Sequence, residues 1–249
     1  MNKRLLNLTL FSAVIIFILS LPIIFVDRYL PQSQHPWQLQ PFNADSLSLF
    51  YKRNYKVVGD TALINFLDDS SKTVVSILID GWGVPYDEIL LVHDFSQFKE
   101  NSPKYIIRKR TINITTFAES VEYKKDFING IFLFGGDLQT CKKKQQNLVG
   151  LFSSITCYEK YSDSKMVLIL DSLLAERSWS RIAWTTFDTR EGDREKLFLL
   201  LASLAKLAKQ YPQIQFIIQG THRPILGAPE TRRKYLAPWV PAVILNIMN

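Results

Sequence analysis

Histidine and cysteine are scarce in this sequence, which has three of the first and two of the second in 249 residues. Neither cysteine lies in a CxxC spacing, so zinc-ribbon and dithiol redox motifs are excluded. Two states remain for Cys141 and Cys157, a bond in an oxidising compartment or two unlinked buried thiols. The chain has no GxSxG elbow, no P-loop, no GxGxxG and no HExxH, which removes the common signatures of α/β-hydrolases, P-loop NTPases, dinucleotide binders and zinc proteases. It has no internal repeat and no low-complexity tract. Charge of one sign is also modest, with 30 Lys and Arg against 23 Asp and Glu, a formal net of +7. That excess suits an acidic membrane surface or an anionic ligand. With no nucleic-acid module in view, nucleic acid is not an expected partner.

Long apolar runs are absent except at one place. Leu5 to Val26, LLNLTLFSAVIIFILSLPIIFV, is interrupted only by Asn7, Thr9, Ser12 and Ser20. A helix of about 20 apolar residues spans a bilayer, and this run is too long for a buried core helix. Lys3 and Arg4 precede it, which keeps the N-terminus cytoplasmic. The reading is an uncleaved signal anchor over residues 1–28, with a cleaved signal peptide as the alternative. Residues 29–45, YLPQSQHPWQLQPFNAD, carry three prolines and four glutamines and read as an extracytoplasmic spacer. Residues 46–249 form the folded domain. The expected location is a single-pass membrane protein with its bulk outside the cytoplasm, on the periplasmic side if bacterial.

The rest of the chain alternates strand-like and helix-like segments. Strands are expected at Thr73–Ile79 (TVVSILI), Lys104–Ile112, Gly130–Phe134 (GIFLF), Arg181–Thr186 (RIAWTT), Ile214–Ile218 (IQFII) and Val240–Leu245. Helices are expected at Asp87–Glu100, Thr115–Phe127, Ser162–Arg177 and Asp193–Gln210. Lys142–Lys144 reads as a solvated helix face. This alternation predicts an α/β fold, a doubly wound and mostly parallel sheet with helices on both faces.

Ligands of such sheets bind beyond the carboxyl ends of the strands. Four strands here run into polar groups. TVVSILI leads to Asp80, GIFLF to Asp137, RIAWTT to Asp188, Glu191 and Asp193, and IQFII to Thr221 and His222. Carboxylates gathered at one edge repel and need a cation or a proton. The other account of each acid is a helix N-cap, which suits Asp80 and Asp193.

The stretch ILIDGWGVP resembles the first metal-ligand strand of the alkaline phosphatase superfamily, which includes sulfatases, nucleotide phosphodiesterases, phosphoethanolamine transferases and cofactor-independent phosphoglycerate mutase. The resemblance covers residues 73 to 245 and implies that Asp80 binds metal. It implies that Thr116 or Thr115, at a helix start in Asn113-Ile-Thr-Thr-Phe-Ala-Glu, is the nucleophile. Asp188-Thr-Arg-Glu-Gly-Asp193 is one residue longer than the family's Asp-x-x-Gly-His motif and ends in Asp. Gly220-Thr-His222-Arg-Pro keeps the histidine of Asp-His-Gly and replaces its Asp with Thr.

Three histidines, with His35 in the spacer and His93 in a helix, are too few for a full two-zinc site. The resemblance then implies one divalent metal (magnesium, manganese, calcium or zinc) on Asp80, Asp188, Asp193 and His222, or a site with no metal. His222 is a ligand or general acid. Arg190, Arg223 and Arg232 are the candidates to clamp an anion, since guanidinium forks match phosphate and sulfate oxygens. Two functions follow. One is a membrane-anchored enzyme that hydrolyses or transfers a phosphate or sulfate ester on an anionic small molecule, lipid or glycan. The other is a catalytically degenerate relative that binds or scaffolds in the cell envelope.

Overall fold

Strand β2, Val74–Ile79, is six apolar or small residues long and buried along its whole length. It lies in the interior of an eight-stranded sheet of order β1-β3-β8-β7-β2-β6-β4-β5. The computed structural model describes residues 46–67, 73–110, 112, 114–123 and 130–246. The anchor (1–28) and the spacer (29–45), with His35, lie outside the described residues, as does Asn113. Among the described residues no helix is long and apolar enough to cross a membrane.

The other strands are β1 Lys56–Val58, β3 Lys104–Lys109, β4 Ile131–Gly136, β5 Ser154–Glu159, β6 Arg181–Thr185, β7 Gln215–Gly220 and β8 Trp239–Leu245. All neighbours pair parallel except β8, which runs antiparallel to β3 and to β7. The helices are α1 Leu49–Asn54, α2 Glu88–Ser96, α3 Thr115–Glu122, α4 Leu138–Leu148, α5 Asp163–Glu176, α6 Arg194–Gln210 and the short α7 Pro229–Arg232. Expected elements reappear with trimmed ends. β1, β5, α1 and α7 were not expected, and of α4 only the Lys142–Lys144 face was read as helical.

Alternation along β2 shows how the layers form. Val75, Ile77 and Ile79 join one core cluster with Leu91 of α2, Met166 and Leu170 of α5, and Leu201 and Leu204 of α6. Leu78 joins another with Ala118 of α3 and Cys141 and Leu148 of α4. Successive side chains of a strand point to opposite faces, so both faces of the sheet are covered. Cys141 and Cys157 are disulfide-bonded, which joins α4 to β5.

The carboxyl ends of β7, β2, β6 and β4 lie side by side at one edge, as a parallel arrangement requires. Backbones crowd there. A Cβ on Gly220 would sit 1.8 Å from the Trp82 carbonyl oxygen, and Gly81 has φ +83 with Thr189's carbonyl oxygen 2.6 Å from where its Cβ would be. The GWG segment therefore turns directly beneath the edge, and only glycine fits. Trp82 is a core residue: it is fully buried and donates its indole N–H to Asp94 at 3.0 Å.

Candidate functional site

Asp80 follows the last residue of β2 and is 5% exposed. Its backbone is fixed by the loop after β6, where its N–H donates to Thr186 Oγ1 at 2.9 Å and its carbonyl accepts from Thr189 Oγ1 at 2.6 Å. Its side-chain Oδ1 accepts from Thr115 Oγ1 at 2.7 Å and from Thr221 Oγ1 at 2.9 Å, and it lies 2.8 Å from His222 Nε2. Oδ2 faces Arg190 Nε at 3.7 Å. Residues from four separate segments thus meet on one carboxylate.

The protonation of this cluster follows from its partners. His222 is 2% exposed, and its Nδ1 lies 2.6 Å from the Arg223 carbonyl oxygen, which can only accept. Nδ1 therefore carries a proton. Nε2 faces a carboxylate, which favours a second proton there and an imidazolium ring. Burial alone would lower the His222 pKa, but the Asp80 charge and hydrogen bond outweigh it and the net direction is up. Burial likewise raises the Asp80 carboxyl, but His222, the Thr115 hydroxyl and Arg190 reverse this and hold it far below the usual carboxylate range. The site rests on a buried, hydrogen-bonded ion pair.

Around the pair is a cleft of about 240 Å³, lined among others by Asp80, Thr115, Thr116, Lys144, Arg190 and His222. Arg190 packs its guanidinium 3.7 Å from the Phe187 ring centroid, and its Nε makes no hydrogen bond among the described residues. Thr115 and Thr116 open α3. Its N-cap is Ile114, which provides no side-chain hydrogen bond, so the first-turn amides lack the usual cap. Thr115 Oγ1 also lies 3.2 Å from His222 Nε2.

The proposed metal set does not gather. Asp193 is the N-cap of α6, accepting from the Glu195 and Lys196 amides at 3.1 and 3.2 Å. Asp188 accepts from the Asp163 amide at 2.9 Å, at the start of α5. Asp137 caps α4 through Thr140. Among the described residues, no group of three or more His, Cys, Asp or Glu is placed to hold a metal ion. The remaining pair fits a divalent cation poorly as well. Three polar groups already crowd Asp80 Oδ1, a guanidinium faces Oδ2, and both ring nitrogens of His222 already face oxygens. The positive charge beside Asp80 is supplied by side chains.

Arg223 and Arg232 are buried and do not line the cleft. His93 is exposed and stacks on Phe198 at 4.6 Å. Lys144 corrects the expectation of a solvated face. It is 6% exposed, ion-paired to the buried Glu119, and lines the cleft. Thr186 and Thr189 were also missed, and Thr221, named only as a strand-end residue, proves to donate to Asp80. Thr186 closes the stretch RIAWTT, Thr189 follows Asp188 just after it, and Thr221 lies in Gly-Thr-His, all polar residues close behind apolar strands.

No family model and no curated protein matches the chain. Its neighbours among solved structures include a member of the alkaline phosphatase superfamily. A protein of that superfamily from Vibrio parahaemolyticus aligns at 11% identity and TM-score 0.49, over 70% of this chain and 60% of that one. The Streptococcus pyogenes phosphoglycerol transferase GacH, solved with sn-glycerol-1-phosphate, aligns at 11% identity and TM-score 0.43, over 70% and 68%. The C-terminal periplasmic domain of EcEptC from Escherichia coli, in complex with Zn, aligns at 8% identity and TM-score 0.42, over 72% and 74%. The chain spans 60% of the length of the Vibrio protein. At these identities and TM-scores nothing about the chemistry is carried over, and it is read from the cleft itself.

Proposed function

We propose that this chain is a membrane-anchored, extracytoplasmic module that binds a phosphate- or sulfate-bearing ligand without a metal and without turning it over. The observation that carries this is the placement of His222, with Nδ1 2.6 Å from the Arg223 carbonyl oxygen and Nε2 2.8 Å from Asp80, beside Arg190 and Lys144 in the same cleft. Fixed cations, threonine hydroxyls and an uncapped helix start recognise the same anion that a metal would attract. The Cys141–Cys157 bond supports the location, since such bonds persist in oxidising compartments. The Leu5–Val26 run supports the anchor at residues 1–28, followed by the spacer at 29–45 and the domain at 46–249.

Turnover lacks a base. A nucleophilic Thr115 would have to lose its proton, yet Asp80 is held ionised far below its usual range, and the Asp80 charge favours the protonated form of His222. One observation favours a second reading, phosphoryl or sulfuryl transfer through Thr115. Its hydroxyl is 2.7 Å from Asp80 and 3.2 Å from His222, which is positioned to act as an acid. In that case metal loading would have to displace donors already on Asp80. The experiment is to incubate the 249-residue chain with p-nitrophenyl phosphate, its phosphodiester and its sulfate, with chelator or with added manganese or zinc. Binding of inorganic phosphate with no product release is expected under both conditions. Product release that Thr115→Ala abolishes would replace binding with catalysis.

A further inference from the structure

Helix α4 is a weakly seated wall of the cleft. It buries only Cys141, Lys144 and Leu148, and one of these is a charged side chain. Cys141 and Lys144 are three residues apart and share a face. The disulfide carries that face to Cys157 on β5, which pairs in register with Phe134 on β4. The Lys144 ammonium lies 5.7 Å from the Phe134 ring centroid, and Phe134 lines the same cleft. Glu119 on α3 pairs with the ammonium and also accepts from Thr185 Oγ1 at 2.8 Å. An ammonium has three donors. Glu119 takes one, and Lys144 is among the residues that line the cleft.

We infer that Lys144 is an anion-binding residue of this cleft and that the Cys141–Cys157 bridge holds it there, so that ligand affinity depends on the oxidised state of the bridge. This rests on the cleft being an anion site and names a residue and a control within it. Glu119 tempers the lysine's charge when no ligand is bound. Reduction by a dithiol breaks the Sγ–Sγ bond. The reagent passes two electrons and two protons to the sulfurs and closes into its own cyclic disulfide, leaving two cysteine thiols. The α4 wall then depends on Leu148, the Lys144–Glu119 pair and its cap at Asp137.

The test uses the whole chain, inorganic phosphate as probe and calorimetric titration. Glu119→Gln keeps an acceptor for Thr185 and frees the ammonium, so affinity should rise roughly tenfold, a gain that a purely structural lysine would not give. Lys144→Met with Glu119→Gln removes both buried charges, which avoids stranding either one, and should weaken binding roughly tenfold relative to the parent chain. Dithiothreitol treatment, checked by thiol count and by unchanged far-UV circular dichroism, should weaken it similarly. Unchanged affinity in both variants overturns the role of Lys144, and unchanged affinity of the reduced protein overturns the control. If the untreated parent chain binds no phosphate, the anion site itself falls and this inference falls with it.

Discussion

The central pair is a carboxylate and an imidazolium that have both left water. Such a pair is strongly coupled to its partners, and removing one side leaves an uncompensated buried charge at a cost of about 3–5 kcal/mol. Asp80→Asn should therefore lower the unfolding free energy by roughly 3 kcal/mol in a denaturant titration and weaken phosphate binding, because the Asn leaves the His222 charge unsupported. Ligand binding should also depend on pH through His222. Its folded pKa lies above the ordinary 6.5, so its charge is complete in the acid range and is lost as pH rises through the raised value. Sulfate, whose own charge is constant there, is the suitable probe. Its affinity should fall as pH rises through that raised value, and His222→Gln should flatten that profile. Asp193 makes the contrast. As a helix cap remote in role from the cleft, Asp193→Ala should cost about 1 kcal/mol of stability and leave phosphate affinity unchanged, readable by thermal melting and calorimetry on one sample.

At the scale of elements, the strands were the most legible part. TVVSILI, GIFLF and IQFII are short, β-branched or aromatic, and bounded by polar residues, and each became an interior strand of the sheet. β5, SITCYE, was hidden because it is only half-buried at the sheet edge and mixes polar with apolar residues. β1 is three residues long and carries little periodicity. The order of strands brought Asp80, Thr221 and His222 together, and parallel pairing made that readable in advance. What the sequence could not show was which acids face the cleft. Asp80, Asp188 and Asp193 look alike after an apolar strand, and only the backbone amides ahead of them decide that two are taken up by helix starts. Lys144 was obscured for a related reason. Within Lys-Lys-Lys, helical phase and the neighbouring disulfide select one lysine for burial. The bridge closes a separation of 16 residues, so replacing both cysteines with serine should cost about 3 kcal/mol by the loop-entropy account, measurable as a shift in denaturant midpoint.

For the whole molecule, two buried groups couple folding to pH in the same direction. His222 is raised above its ordinary pKa, so its contribution to stability is present below that ordinary value and is lost as pH rises through the folded one. The Asp163 carboxyl is pushed up to about 7 by burial, against the Phe187 and Asp188 amides that favour its charged form. The folded state thus holds its proton between the ordinary carboxylate range and neutrality, and stability declines as pH rises across that interval. Together they predict a chain more stable near pH 5.5 than near pH 8.5, by on the order of 1 kcal/mol or more, a Tm difference of roughly 2–4 °C or above. Scanning calorimetry at the two pH values checks the sign. Asp163 also binds the loop that delivers Thr189 and Arg190 to Asp80, so the same titration touches the cleft.

Metal-free binding requires that side chains alone provide the positive charge at Asp80. The direct measurement is calorimetric titration of inorganic phosphate into the whole chain, first with a chelator and then with saturating zinc or manganese. The cationic His222, with Arg190 and Lys144, predicts the same affinity in both, and a clear loss in His222→Gln. Binding that appears only with the metal, and survives His222→Gln, would contradict it.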